Sequence, residues 1–193
     1  KGANITFDQV SVGATENTVM AASLADGTSI LHNCALEPEI TNLADFLNLL
    51  GAKISGAGTP TITIEGVKAL HSGNGQIIAD RIEAGSYLTA AAITGGSVKC
   101  LGIHHSLLGA VLEKFRMAGA KVDYSENPDC GNNWISLEMN GPVQSVDIST
   151  LPFPGFPTDM QAQFMALMCV SNGTSVITEN IFENRFMHVA ELL

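Results

Sequence analysis

Leu49-Leu50-Gly51-Ala52-Lys53 and Arg116-Met117-Ala118-Gly119-Ala120-Lys121 are one signal written twice, with their glycines 68 positions apart. Each ends a helix on a glycine, which tolerates the left-handed conformation that a helix C-terminus needs, and each passes the chain to a strand. Outward from the first copy, Glu37-Pro38-Glu39 opens the helix, because proline loses little in a first turn and the carboxylates meet the positive end of the dipole. Ile40, Leu43, Phe46, Leu47 and Leu50 follow at helical spacing. After it, Lys53-Ile54-Ser55 and the alternating Thr61-Ile62-Thr63-Ile64-Glu65 read as strands across a Gly56-Ala57-Gly58 turn. Before it, residues 4–7 and Ser29-Ile30-Leu31-His32-Asn33 read as strands. They flank a small-residue helix that leaves the Ser11-Val12-Gly13-Ala14-Thr15 turn, runs to about Ala25 and stops at Asp26-Gly27-Thr28. The order is strand, helix, strand, helix, strand, strand.

The second copy repeats it. Gln76-Ile77-Ile78 stands where a leading strand belongs, a helix runs from about Arg81 to Ile93 into Gly95-Gly96, and Ser97-Val98-Lys99-Cys100 is a strand. A helix with Leu108, Val111, Leu112 and Phe115 on one face then leads to strands at Lys121-Val122-Asp123-Tyr124 and Trp134-Ile135-Ser136-Leu137-Glu138. A third copy has strands at Ser145-Val146-Asp147-Ile148 and Ser175-Val176-Ile177-Thr178 around a helix from Asp159 to Val170 that stops at Asn172-Gly173-Thr174. Its second helix has only begun at Leu193, which predicts that these residues belong to a longer natural chain.

A period of about 70 residues is too long for the common solenoids, and each unit carries two helices to cover its own strands, so the units are expected to pack around a shared core. The expected class is mixed α/β, built from repeated strand-helix-strand-helix-strand-strand units. The polar, Gly-rich Leu70-His71-Ser72-Gly73-Asn74-Gly75 is the boundary candidate.

Composition narrows the function classes. With 46% hydrophobic and 15% charged residues among 193, the chain reads as well packed. A formal charge of -10 argues against nucleic acid as a partner, since phosphates need a basic stripe. It leaves room for a small anionic substrate held by one of the three arginines, Arg81, Arg116 and Arg185, or by a helix N-terminus. Apolar runs such as Met165-Ala166-Leu167-Met168-Cys169-Val170 fall far short of the roughly 20 residues that span a bilayer. Lys1-Gly2-Ala3-Asn4 has no features of a signal peptide, so a cytoplasmic, soluble protein is expected. Cys34, Cys100, Cys130 and Cys169 show no C-x-x-C spacing and are expected as reduced thiols, with no metal site.

Two residues stand out for chemistry. Asp159 follows the rigid, apolar Phe153-Pro154-Gly155-Phe156-Pro157 segment at a helix start. There it is either an N-cap or a carboxylate held in a dry cleft as a general base. Arg185 is either a surface partner of its acidic neighbour Glu183 or, held between Phe182 and Phe186, a bidentate fork for phosphate or carboxylate. The Ser11 to Thr15 turn is either an ordinary cap or a set of backbone N–H groups aimed at a diphosphate, though it lacks the GxGxxG and P-loop spacings. The adjacent His104-His105 reads as surface or cap, and His32, His71 and His188 have no partners at metal spacing.

Val10-Ser11-Val12-Gly13-Ala14-Thr15, Glu37-Pro38-Glu39-Ile40, Ile64-Glu65-Gly66-Val67, Phe156-Pro157-Thr158-Asp159-Met160-Gln161-Ala162-Gln163-Phe164 and Phe182-Glu183-Asn184-Arg185-Phe186-Met187-His188-Val189 together resemble the enolpyruvyl transferase family. The last two favour its UDP-N-acetylglucosamine branch over the sister branch that acts on shikimate phosphate. The resemblance implies helices inside and sheets outside, an α-β prism or inside-out barrel with three units per domain and the substrate cleft between two domains. Residues 1–78 would be the last unit of the first domain, and residues 79–193 one and a half units of the second. It implies transfer of the enolpyruvyl group of phosphoenolpyruvate to the 3'-hydroxyl of UDP-N-acetylglucosamine with release of phosphate, as the first committed step of peptidoglycan synthesis. No cofactor is implied. Asp159 matches the acid that contacts that hydroxyl and acts as base. Ser11, Val12 and Gly13 match backbone contacts to the nucleotide, beside Gln9 and Val10, and Ile181 matches another uridine-side contact. Arg185 matches an arginine that holds phosphoenolpyruvate. Gln9 stands where the family often carries lysine, which removes a basic contact. The family's Pro-Gly-Gly-Cys loop, its early Lys-Asn pair and its later arginines do not occur in these residues. The other segments of a parent chain would supply them, and these residues alone would bind nucleotide sugar or pack against those segments without turnover.

Overall fold

The computed structural model describes residues 1–126 and 132–193. Cys130, expected as a reduced thiol, lies outside the described residues. The chain divides into two compact units, Lys1–Ile78 and Ala79–Leu193.

The first unit runs β1 (Asn4–Thr6), α1 (Val12–Ser23), β2 (Thr28–His32), α2 (Pro38–Leu49), β3 (Lys53–Ser55) and β4 (Thr61–Glu65). Its sheet has the order β1-β2-β4-β3, with β1 parallel to β2 and β4 antiparallel to both of its neighbours. The alternation in β4 sends Ile62 and Ile64 inward with Leu31 and Ile54, where they meet Val19 of α1 and Ile40 and Leu47 of α2. Gly51 closes α2 at φ 98°, as its place in the sequence requires.

Residues 76–78 form no strand. The chain here runs along α2, where His71 donates its backbone N–H to the Leu50 carbonyl and Asn42 binds both the Gln76 carbonyl and the Ile78 N–H. Those groups are spent on a helix side chain instead of a ladder.

The second unit runs α3 (Arg81–Ile93), β5 (Ser97–Leu101), α4 (Gly109–Met117), β6 (Lys121–Tyr124), β7 (Trp134–Glu138), β8 (Ile148–Ser149), α5 (Gln161–Cys169), β9 (Ile177–Thr178) and α6 (Val189–Leu192). Asp80 caps α3 by accepting the Ile82 and Glu83 N–H groups. The antiparallel sheet β5-β7-β6 repeats the β2-β4-β3 arrangement, and the parallel pair β8-β9 repeats β1-β2. The repeat read from the glycine stops is therefore also a repeat of strand pairing.

The core of this unit gathers Leu88, Leu108, Val111, Leu112, Phe115, Ile135, Leu137 and Phe164. Phe164 of α5 is its hub, with its ring 4.8 Å from Phe115 and 5.1 Å edge-on to Phe156. A Cβ on Gly85 of α3 would lie 2.7 Å from Met160 Sδ, so the absence of a side chain lets α3 close on the turn before α5. Among the described residues no helix is long and apolar enough to cross a membrane.

Candidate functional site

The expected helix from Asp159 to Val170 begins later than its sequence suggests. Thr158–Met160 is a turn of 3-10 helix behind Pro157, with no side-chain cap, and α5 starts at Gln161. Asp159 is therefore not an N-cap. Its Oδ1 instead accepts a hydrogen bond from Arg185 Nη1 at 2.6 Å, across 26 positions of sequence. Arg185 sits in the turns before α6, one residue after Asn184, whose φ is 59°. Its guanidinium carbon lies 4.8 Å from the centre of the Phe182 ring. Its carbonyl accepts from the buried Gln161 side chain at 3.4 Å.

The Asp159 and Arg185 side chains are 54% and 37% exposed, and an exposed pair of this kind contributes under about 1 kcal/mol. It is thus a weak brace for the fold. Chemically it joins a solvent-accessible carboxylate, able to take a proton, to a guanidinium that can turn its fork toward an anion.

Both halves of the pair hang from Glu179, which follows β9 directly. Glu179 Oε1 accepts the Thr150 hydroxyl at 2.8 Å, the Ile181 N–H at 2.8 Å and the Phe182 N–H at 3.2 Å, while Oε2 accepts the Thr158 hydroxyl at 2.8 Å. Burial raises the Glu179 carboxyl pKa, but the bonds from Ile181, Thr150, Thr158 and Phe182 outweigh it and hold the group below its ordinary value. Thr150 is fully buried and also accepts the Asn180 N–H at 2.8 Å. Sequence reasoning misses Glu179, Thr150 and Thr158, because nothing in a Thr-Glu-Asn string after a strand distinguishes a four-bond anchor from a loop acid. Ile181 lies on the same turn, half-buried, with its N–H already taken by Glu179.

The other candidate residues belong to the first unit. Gln9 and Val10 are exposed and lead into Ser11, whose hydroxyl caps α1 by accepting the Ala14 N–H at 3.2 Å. Buried Thr15 fixes this start by donating to the Ser11 carbonyl at 2.7 Å and accepting the Ala35 N–H at 3.1 Å. Among the described residues the N–H groups of Val12 and Gly13 have no partner. A Cβ on Gly13 would meet nothing within 4 Å. The cap thus leaves two donors at a positive helix end without a partner among the described residues.

The remaining candidates are spent elsewhere. Arg116 donates to the Val122 carbonyl at 3.4 Å and lies 5.4 Å from the Tyr124 ring. Buried Arg81 lies 5.7 Å from the Phe153 ring, beside a cavity of about 40 Å³ that also touches Leu108 and Pro157, room for a few waters. His104 caps the turn after β5 by accepting the Ser106 N–H, and His105 stacks on Tyr124 at 4.0 Å. Burial raises the Cys34 and Cys100 thiols above their ordinary values, so neither has the character of an activated nucleophile.

A family model described as EPSP synthase (3-phosphoshikimate 1-carboxyvinyltransferase) matches residues 1–193. The chain belongs to this family. Two proteins named UDP-N-acetylglucosamine 1-carboxyvinyltransferase, from Pseudoalteromonas atlantica and Coxiella burnetii, are 56% and 54% identical to it over 193 residues. The matches take in the whole of this chain and 45% and 43% of those proteins, so the chain spans about half the length of the curated relatives it matches. Among solved structures, the enolpyruvyl transferase NikO from Streptomyces tendae has a TM-score of 0.82 at 21% identity, over 99% of this chain and 47% of that one. An EPSP synthase from Acinetobacter baumannii has a TM-score of 0.65 at 20% identity, over 99% of this chain and 44% of its own. At such identities the likeness speaks for the fold, and the fold is that of the enolpyruvyl transferases.

Proposed function

We propose that these residues form part of an enolpyruvyl transferase that moves the enolpyruvyl group of phosphoenolpyruvate to the 3'-hydroxyl of UDP-N-acetylglucosamine and releases phosphate, the first committed step of peptidoglycan synthesis, in the cytoplasm. The observation that carries the reading is the accessible Asp159–Arg185 pair at 2.6 Å, in a chain whose relatives at 54% to 56% identity are named UDP-N-acetylglucosamine 1-carboxyvinyltransferase.

In this reading Asp159 takes the proton of the 3'-hydroxyl as its oxygen bonds to C2 of phosphoenolpyruvate and C3 gains a proton from an acid supplied by the rest of the parent chain; the adduct then loses a C3 proton and phosphate, which restores the double bond. Arg185 holds the phosphoenolpyruvate anion, and the two charges of the substrate-free pair keep each other oriented until that anion arrives. The open Val12 and Gly13 N–H groups, with Ser11, suit the nucleotide diphosphate, since a helix start offers donors and positive potential to phosphate. Gln9, Val10 and Ile181 line the uridine side. The boundary near Ile78 separates the last unit of one transferase domain from the first units of the other. A Pro-Gly-Gly-Cys loop does not occur in these 193 residues, and they alone are expected to show no turnover.

The test is phosphate release by the complete chain supplied with phosphoenolpyruvate and UDP-N-acetylglucosamine, with the sugar product identified by mass. Turnover with shikimate phosphate and none with the uridine sugar would move the protein to the sister reaction.

A further inference from the structure

We infer that Glu179 is a positioning residue: its carboxylate sets the geometry of both Asp159 and Arg185 from a place where it touches neither. The inference rests on the proposed reading of that pair.

Three segments converge on this one side chain. The first is the end of β8, through the Thr150 hydroxyl; the second is the turn that carries Asp159, through the Thr158 hydroxyl; the third is the turn that leads to Arg185, through the Ile181 and Phe182 N–H groups. Three of the four donors converge on Oε1 and the fourth takes Oε2, so both carboxylate oxygens are tied, which fixes the group in orientation as well as in place. The two arms that matter most are short in sequence. Thr158 is the residue immediately before Asp159, so a hydroxyl tied to Oε2 sets the backbone from which the Asp159 carboxylate projects. Phe182 N–H is tied to Oε1, and the Phe182 ring is the surface against which the Arg185 guanidinium lies at 4.8 Å. One rigid anion therefore holds the acid side and the base side of the pair in a common frame. An apolar or shorter residue would leave the Ile181 and Phe182 N–H groups and the Thr150 hydroxyl in need of other partners, and would free both turns at once.

The role differs from plain structural support in what it moves. A misplacement of about 1 Å at a reacting group costs about 100-fold in rate, whereas loss of a partly exposed hydrogen-bond cluster alone lowers stability and leaves the rate of the folded molecules alone. The complete transferase chain is therefore assayed as Glu179→Ala, Glu179→Gln and Thr158→Val, with Asp159→Asn beside them. Glu179→Ala is expected to lower kcat per folded molecule by about 10- to 100-fold, with KM for UDP-N-acetylglucosamine within about threefold of the parent. Glu179→Gln keeps a carbonyl for the two N–H groups, so it should recover most of that loss and leave hydrogen exchange at Ile181 and Phe182 slow. Thr158→Val cuts only the arm beside Asp159 and should lower kcat about 10-fold with little change in melting temperature. This variant decides the matter where Glu179→Ala does not fold. Unchanged kcat per folded molecule in Thr158→Val, or in Glu179→Ala, overturns the inference while a dead Asp159→Asn leaves the proposed chemistry standing. An Asp159→Asn enzyme of near-normal rate removes the base itself, and the positioning role with it.

Discussion

Helices α1 and α5 hold the same place in the repeat, each between two parallel strands, yet they start in opposite ways. At α1 the cap is local: Ser11 accepts the Ala14 N–H, Thr15 returns a bond to the Ser11 carbonyl, and two N–H groups are left without a partner among the described residues. At α5 no side chain caps the helix, and the chain enters it through a 3-10 turn instead. The carboxylate that sequence preference would put on the cap is released for Arg185, and order is restored at a distance by Glu179. A satisfied cap presents backbone donors; an omitted one presents a side chain. The two starts thus suit different chemistry, anion binding at α1 and proton transfer at α5.

The sharpest way to break this contrast is Asp159→Asn in the complete chain. If the released carboxylate is the base, transfer should fall by about 1,000- to 10,000-fold while the protein keeps its melting temperature, because the exposed pair adds little to the fold. A variant within tenfold of the parent rate would remove proton transfer from the α5 side. Next in size is Phe164→Ala. If α5 is held by its core contacts and not by a cap, deleting the fully buried ring that meets Phe115 and Phe156 should cost about 3 to 5 kcal/mol in denaturant unfolding. A cost near 1 kcal/mol would show that the turn before α5 carries more of the helix than the core does.

Much of the fold is legible because its signals are local. Gly51 and Gly119 both adopt φ 98°, and the alternation of residues 61–65 sends Ile62 and Ile64 to the core. The failures have a common cause, which is a partner far away in sequence. Residues 76–78 read as a strand until Asn42, more than 30 positions earlier, claims their backbone groups. Local context singles out both Asp159 and Arg185 and leaves each between two roles, cap or base for the first and neighbour's partner or anion fork for the second, but it does not pair them, since a pairing across 26 positions leaves no periodic trace. Glu179 is invisible for the same reason: its four donors come from Thr150, Thr158, Ile181 and Phe182, and only the last two are close by in sequence.

Two smaller changes sharpen the α1 side. Thr15→Val keeps the volume of a fully buried side chain but strands the Ala35 N–H, a loss of about 1 to 3 kcal/mol on thermal or denaturant unfolding. Ser11→Ala removes only the cap, and about 1 kcal/mol with it. Ser11→Gly should cost only a few tenths of a kcal/mol, because glycine suits the position without a hydroxyl. The pair separates two roles that one residue combines. If the nucleotide is read by the open backbone donors of Val12 and Gly13, both variants should bind UDP-N-acetylglucosamine within about threefold of the parent once the protein is folded, since neither alters those N–H groups. A tenfold loss of affinity in both, measured by calorimetry on the complete chain, would assign the contact to the Ser11 hydroxyl instead, and α1 would then resemble α5 in presenting a side chain to its ligand.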